Sequence, residues 1–120
     1  MFIKYKIIND PEYTNLSKIG FELIPDNLPL KHFFSSMRIL KYPELINDTC
    51  NDIGFLGEPQ GVIFYNDLDG EDFEEGDVFK KSEVKIYHHN FGEVIVEKLL
   101  YKKMILDYSK SLINIYINSS

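Results

Sequence analysis

Short stretches of the chain alternate between hydrophobic and polar residues, and this period of two residues is typical of β-strands. The pattern predicts strands at residues 2–8, 19–24, 61–65, 83–88 and 93–96. Asn9-Asp10-Pro11 ends the first of them, and Asn90-Phe91-Gly92 supplies a turn between the last two. The apolar run at 61–65 favours a buried strand, whereas the clean alternation at 83–88 favours a half-buried one.

Two stretches carry apolar residues three or four positions apart, which is the period of a helix that buries one face. In the first, the apolar positions are Leu30, Phe33, Phe34, Met37 and Leu40. Asp26 or Asn27 can cap this helix, with Pro29 in its first turn, and Tyr42-Pro43 would end it. Pro43 can itself start a second short helix that runs to about Cys50, followed by a loop.

The second helical stretch is predicted to run from about Val96 to about Tyr116. Its apolar stripe consists of Val96, Leu99, Leu100, Met104, Ile105, Tyr108, Leu112, Ile115 and Tyr116. Strands mixed with segregated helices, rather than regular βαβ units, indicate the α+β class. We therefore expect a single domain over residues 1–120, with an antiparallel sheet packed against this long C-terminal helix and one or two N-terminal helices.

Length and composition are consistent with one domain. The chain has 120 residues, 44% of them hydrophobic, which argues against disorder. A net charge of −6 argues against nucleic acid or an anionic membrane as a partner, because both favour basic proteins. One cysteine excludes an internal disulfide, and neither an 18-residue apolar run nor a signal-peptide pattern is present. We expect a cytoplasmic protein.

The charges are distributed unevenly along the chain. From Tyr42 to Phe79 there are eleven acidic residues and no Lys or Arg, so this span carries −11 and the rest of the chain +5. The acidic residues are densest in the acidic segment, Asn66 to Asp77, which we predict to be a loop. Such a segment is either a solvated loop or a surface that recognises a basic partner, because clustered like charges repel one another unless a complementary surface relieves them.

A calcium site is the other interpretation of the acidic segment. An EF-hand loop needs Gly at its sixth position and a bidentate acid at its twelfth. Placing Gly70 sixth puts Tyr65 first and Gly76 twelfth, so two ligands fail. His88 and His89 point to opposite faces of a strand, and His32 lies far away in sequence. We expect no metal and no cofactor.

The sequence contains no motif that supports an enzyme. Phosphate-binding glycine motifs are absent, and Ser35-Ser36 lies on a predicted helix rather than on the sharp turn of a hydrolase. Cys50 has no recognisable nucleophile context. The weakest of the hypotheses is a small enzyme with scattered residues such as His88, Glu93 and Asp107.

Several segments together resemble the immunity proteins of bacterial contact-dependent inhibition and related polymorphic toxin systems. They are the strand Gly61-Val-Ile-Phe-Tyr65, the strand Glu93-Val-Ile-Val96, and a terminal helix with Leu100-Tyr101 near its start and Asn114-Ile-Tyr116 at its end. The resemblance covers roughly half of the chain. It implies a non-catalytic inhibitor that binds one cognate toxin in the cytosol and blocks its active site. These toxins are commonly nucleases, whose substrate grooves are basic.

The acidic segment and the aromatic residues beside it are the predicted contact surface for such a toxin. Aromatic residues would anchor the complex, because charge alone rarely holds one. The predicted contact residues are Tyr65, Asp67, Asp69, Glu71, Asp72, Phe73, Glu74 and Glu75. The alternative is a nucleic-acid-mimicking or regulatory binding protein of phage type, in which the carboxylates imitate phosphates.

Overall fold

The computed structural model describes residues 3–9, 19–36, 41–76 and 78–119, with side chains up to Asn114. Its strands are β1 (Lys4–Asn9), β2 (Ile19–Ile24), β3 (Gln60–Phe64), β4 (Glu83–His88) and β5 (Gly92–Glu97). Its helices are α1 (Leu28–Ser36), α2 (Tyr42–Cys50), α3 (Gly70–Glu75) and α4 (Lys98–Ser119). The prediction of an α+β fold with antiparallel strands and a long C-terminal helix is confirmed.

The strands form two antiparallel sheets. β1 pairs with β2, and a second sheet has the order β3-β4-β5. In that second sheet Val62 lies opposite Ile86, which lies opposite Val94. Alternate residues of a strand share a face, so Val62, Val84 and Ile86 all point to one side, where they are completely buried. Helices α1 and α4 both pack against β4 and β5.

Helix α1 begins as the sequence predicts. Asn27 is the cap rather than Asp26, because its side-chain oxygen accepts a hydrogen bond from the Leu30 backbone N–H at 3.1 Å. Leu30, Phe33 and Phe34 are fully buried. The remaining positions of the predicted apolar face, Met37 and Leu40, lie outside the described residues.

The core between the helices and the sheets is rich in aromatic rings. Phe34 lies against Phe21, Phe33, Tyr101 and Tyr108, with ring centroids 4.7 to 6.4 Å apart. Tyr108 is fully buried, and its hydroxyl donates to the Ile19 carbonyl at 2.8 Å. This bond ties α4 to β2 and satisfies a polar group that would be costly to bury alone.

The predicted face of the last helix is wrong in part. α4 begins at Lys98, so Val96 belongs to β5, and Leu99 is 78% exposed. Tyr101, which the predicted stripe omits, is fully buried. Residues two positions apart on a helix differ by about 200° in direction, so a face that buries Tyr101 and Met104 turns Leu99 to solvent. The side chains of Ile115 and Tyr116 lie outside the described residues.

Candidate partner-binding surface

The acidic segment is not a loop over its whole length, which corrects the prediction. Residues 65–67 form a 3₁₀ turn and residues 70–75 form α3. The Asp72 N–H donates to the Asp69 carboxylate at 3.0 Å, and the Asp69 N–H donates to the Asp72 carboxylate at 2.9 Å. Gly76 ends the helix with φ of 74°, a left-handed conformation that glycine adopts without strain. Local capping therefore orders a segment whose charges alone predict a solvated loop.

Asp67 is exposed, but its carboxylate bonds to the backbone at the end of β3. Its Oδ2 accepts a hydrogen bond from the Phe64 N–H at 2.7 Å, at the end of β3. The same oxygen lies so close to Gly54 that a Cβ added there would be 2.4 Å away. The segment before β3, at Gly54, therefore packs closely against the turn after β3, at Asp67. Of the eight predicted contact residues, Asp67, Asp69 and Asp72 accept hydrogen bonds from nearby backbone N–H groups.

The other predicted contact residues lie on or next to α3, and we call them together the α3 surface: Tyr65, Glu71, Phe73, Glu74 and Glu75. Glu71, Glu74 and Glu75 share one side of the helix, whereas Phe73 lies about 160° from Glu71 and Glu75. The three glutamates are exposed, and Phe73 is 50% exposed although its side chain is large and apolar. Phe73 meets Tyr65 edge to face with centroids 6.1 Å apart. On the same tyrosine, the Lys81 ammonium lies 5.7 Å from the ring centroid.

A polar pocket of about 180 Å³ adjoins the α3 surface. It is lined by Asp52, Phe64, Tyr65, Asn66, Lys81 and Lys98. Asp52 follows α2 with φ of 54° and forms ion pairs with Lys98 at 3.0 Å and Lys102 at 2.5 Å. The hydrogen bond from Lys102, followed by that from Lys98, holds the pKa of the Asp52 carboxyl below its usual value.

The pocket escaped sequence analysis because nothing local signals it. Asp52 is one of eleven acids in its span, and its two lysine partners lie in α4, which follows three further strands in sequence. Only tertiary packing of α2 against α4 brings these charges together.

The positions of the three histidines agree only in part with the prediction. His88 is buried and His89 is exposed, as expected for neighbours on a strand. His32, however, comes close to His88, with ring centroids 5.9 Å apart, because α1 packs against β4. His32 also stacks on Phe91 at 3.7 Å. Burial is the main cause that lowers the pKa of both His32 and His88.

Within the described ranges, no three His, Cys, Asp or Glu side chains are grouped as metal ligands would be. The residues of the hypothetical enzyme also have separate contacts. His88 faces His32, Glu93 lies 3.7 Å from the Lys85 ammonium, and Asp107 accepts a hydrogen bond from the Tyr5 hydroxyl. The structure gives these three side chains no shared partner among the described contacts.

No protein-family model matches the chain, and no curated protein or solved structure shows significant similarity to it. Among the described residues, no helix is both long enough and apolar enough to cross a membrane. The geometry of the α3 surface is therefore the basis for a functional hypothesis.

Proposed function

We propose that the chain is a cytoplasmic immunity protein that binds one cognate bacterial toxin, a nuclease, and covers its basic active-site surface. The observation that carries this proposal is the α3 surface, where three exposed glutamates share one side of a short helix and a half-exposed phenylalanine lies on another side. The two kinds of side chain have different tasks in a complex. The carboxylates attract a basic surface over distance, and the aromatic ring provides contact area at close range.

The capping of α3 supports this role. Asp69 and Asp72 fix the start of the helix, and Gly76 fixes its end, so Glu71, Glu74 and Glu75 project from a defined scaffold. A preorganised surface loses less conformational entropy on binding than a flexible loop does. Asp67, Asp69 and Asp72 accept hydrogen bonds from nearby backbone N–H groups and also contribute to the negative potential of the segment.

The same surface is a poor imitation of nucleic acid. A helix of six residues is about 9 Å long, whereas phosphates follow one another along an entire groove at about 3.4 Å per strand. The acids of α3 cover only two or three such steps. A short acidic helix therefore suits local contact with a basic protein surface better than imitation of a long run of phosphates.

The proposal expects a toxin domain to be encoded directly upstream of the gene for this chain, and the test uses that domain. The wild-type chain should restore growth of cells that express this toxin domain, and should bind it when both are purified. The variant E71Q/E74Q/E75Q removes the exposed charges and leaves the caps intact. Its association rate at low salt should fall by roughly tenfold, with a flatter salt dependence, because electrostatic steering is lost.

The matched control is E22Q/D26N/E44Q, which removes three exposed acids outside the α3 surface. It changes net charge by the same amount, and its association rate should stay near that of the wild type. A second variant, F73A, should chiefly raise the dissociation rate. Failure of the wild-type chain to protect cells or to bind the toxin would refute the proposal. Equal association rates for both triple variants would show that the contact lies elsewhere.

A further inference from the structure

The polar pocket beside the α3 surface brings together side chains from distant parts of the chain. Tyr65 and Asn66 follow β3, Lys81 precedes β4, and Lys98 is the first residue of α4. The pocket volume of about 180 Å³ exceeds the roughly 150 Å³ that holds a molecule of the size of benzene. The pocket is therefore large enough for a small ligand, and its lining determines which kind.

Positive charge predominates at this pocket. Lys81 and Lys98 line it, and Lys102 lies beside it through an ion pair with Asp52. The lining includes one carboxylate, that of Asp52, which Lys98 and Lys102 share. Three ammoniums and one carboxylate leave two positive charges, so a negatively charged ligand is favoured over a positively charged one. Lys98 and Asp52 are only 27% and 25% exposed, so water and salt screen their charges less than on an open surface.

Lys81 differs from the other two lysines because it has no acidic partner. Its ammonium lies 5.7 Å from the centroid of the Tyr65 ring, and among the described residues no carboxylate forms an ion pair with it. A cation–π contact holds the ammonium beside the ring without neutralising its charge. The charge of Lys81 is therefore available to an anion that enters the pocket.

Two further side chains of the lining are hydrogen-bond donors. The Tyr65 hydroxyl and the Asn66 amide can each donate to an oxygen atom of an anion. The pocket also lies at the N-terminus of α4, a helix of 22 residues, where the helix dipole favours negative charge. Lysine, asparagine and tyrosine side chains and helix N-termini are the groups with which proteins bind phosphate oxygens.

We propose that this pocket binds a phosphate dianion, either inorganic phosphate or the phosphate group of a small monoester. Its oxygens would lie between the ammoniums of Lys81 and Lys98. Tyr65 and Asn66 would donate hydrogen bonds to the same oxygens. A phosphate monoester carries a charge of about −1.5 to −2 at pH 7, which matches the two positive charges of the pocket. The site uses none of the glutamates of the α3 surface, so it goes beyond the proposed function and is tested without a toxin.

Asp52 would compete with the ligand from within the protein. Its carboxylate lies 3.0 Å from the Lys98 ammonium, and a carboxylate and a phosphate both bind such a cation through oxygen. The two anions also repel each other. Removal of this one negative charge should therefore tighten phosphate binding, which a general loss of structure would not do.

The experiment is a titration of the isotope-labelled chain with inorganic phosphate at constant ionic strength, followed by amide chemical shifts. Shifts of residues 65, 66, 81 and 98 should saturate with a dissociation constant of about 1 mM or below. K81Q should weaken binding about fivefold or more, and D52N should tighten it by a similar factor, because each changes one charge at the site.

A second titration uses glycerol 3-phosphate, a small monoester. Saturable binding of either compound at these residues supports the site, and the tighter binder of the two identifies the source of the phosphate group. Two matched controls remove the same charges elsewhere. K80Q removes the exposed lysine next to Lys81, and E44Q removes an exposed acid of α2. Both should bind phosphate as the wild type does.

Three results would overturn the proposal. The first is an absence of saturable shifts with both compounds up to about 20 mM, well above the expected dissociation constant. The second is the same shifts and the same affinity with acetate, which would assign the effect to general ion binding. The third is an equal loss of affinity in K80Q and K81Q together with an unchanged affinity in D52N. Circular dichroism of each variant checks that the comparison is made between folded proteins.

Discussion

Helices α3 and α4 differ in what holds them in place. α4 buries a continuous face against the core, made of Tyr101, Met104, Ile105, Tyr108, Ser109 and Leu112. α3 buries no residue completely, and its ends are fixed by Asp69, Asp72 and Gly76. A helix of six residues is too short to be stable through its own backbone bonds. The stability of α4 therefore depends on the whole fold. The stability of α3 depends mainly on its caps, which leaves most of its side chains exposed.

The largest expected effect comes from breaking the core under α4. Phe34→Ala removes a ring that contacts four other aromatic rings. Because the cavity cannot collapse fully, the free energy of unfolding should fall by about 3–5 kcal/mol. Urea unfolding followed by circular dichroism measures the change. A loss below about 1 kcal/mol would mean that the aromatic cluster is loosely packed, contrary to its burial.

The two sides of α4 should respond very differently to the same truncation. Met104→Ala should cost about 2–5 kcal/mol, because Met104 is fully buried. Leu99→Ala should change stability by less than about 0.5 kcal/mol, because this side chain is exposed. Both values come from chemical denaturation followed by circular dichroism. Equal costs at the two positions would contradict the orientation of α4.

The caps of α3 provide the next comparison. Asp69→Ala removes the acceptor for the Asp72 N–H and should cost about 1 kcal/mol, felt mainly within α3. Asp69→Asn keeps an acceptor and should restore most of the loss. Amide hydrogen exchange resolves the site: protection should fall in residues 70–76 and remain unchanged in α4. A uniform loss of protection over the whole chain would show that α3 is coupled to the core.

Most of the fold could be predicted from the sequence because its elements follow the two hydrophobic periods. Strands β2 and β4 and the Asn27 cap of α1 are visible in a few neighbouring residues. Helix α3 was missed because its charged composition outweighs a capping signal made of two aspartates. Leu99 lies three residues after Val96, a helical spacing that predicts burial of both. In the structure Val96 belongs to β5 and α4 begins only at Lys98, so this spacing does not describe one helix face and Leu99 is exposed.

The candidate site was predictable only in part, and the reason is physical. The acids and aromatic residues that form the α3 surface are contiguous in sequence, so their composition alone marks them. Which acids accept local backbone hydrogen bonds depends on backbone geometry, since Asp67 accepts one from the Phe64 N–H although it is itself exposed. The contacts of Asp52 with Lys98 and Lys102 depend on the packing of α2 against α4, which has no local signature.

A smaller effect that depends on pH is expected at the ion pairs between Asp52 and α4. Lys102 and Lys98 lower the pKa of Asp52 in the folded chain, so the folded state binds the proton less readily than the unfolded state. The stabilisation is therefore complete above the unfolded pKa of about 3.9 and is lost as the pH falls through the lower, folded pKa. Asp52→Asn should be less stable than the wild type by about 0.5–1 kcal/mol at neutral pH, the range for partly exposed pairs, and the difference should vanish in acid. The control is Glu44→Gln, which removes an exposed pair with Lys41 at 3.8 Å and should change stability by less. A stability difference for Asp52→Asn that is independent of pH would assign the effect to altered backbone conformation at φ of 54° rather than to the charges that join α2 to α4.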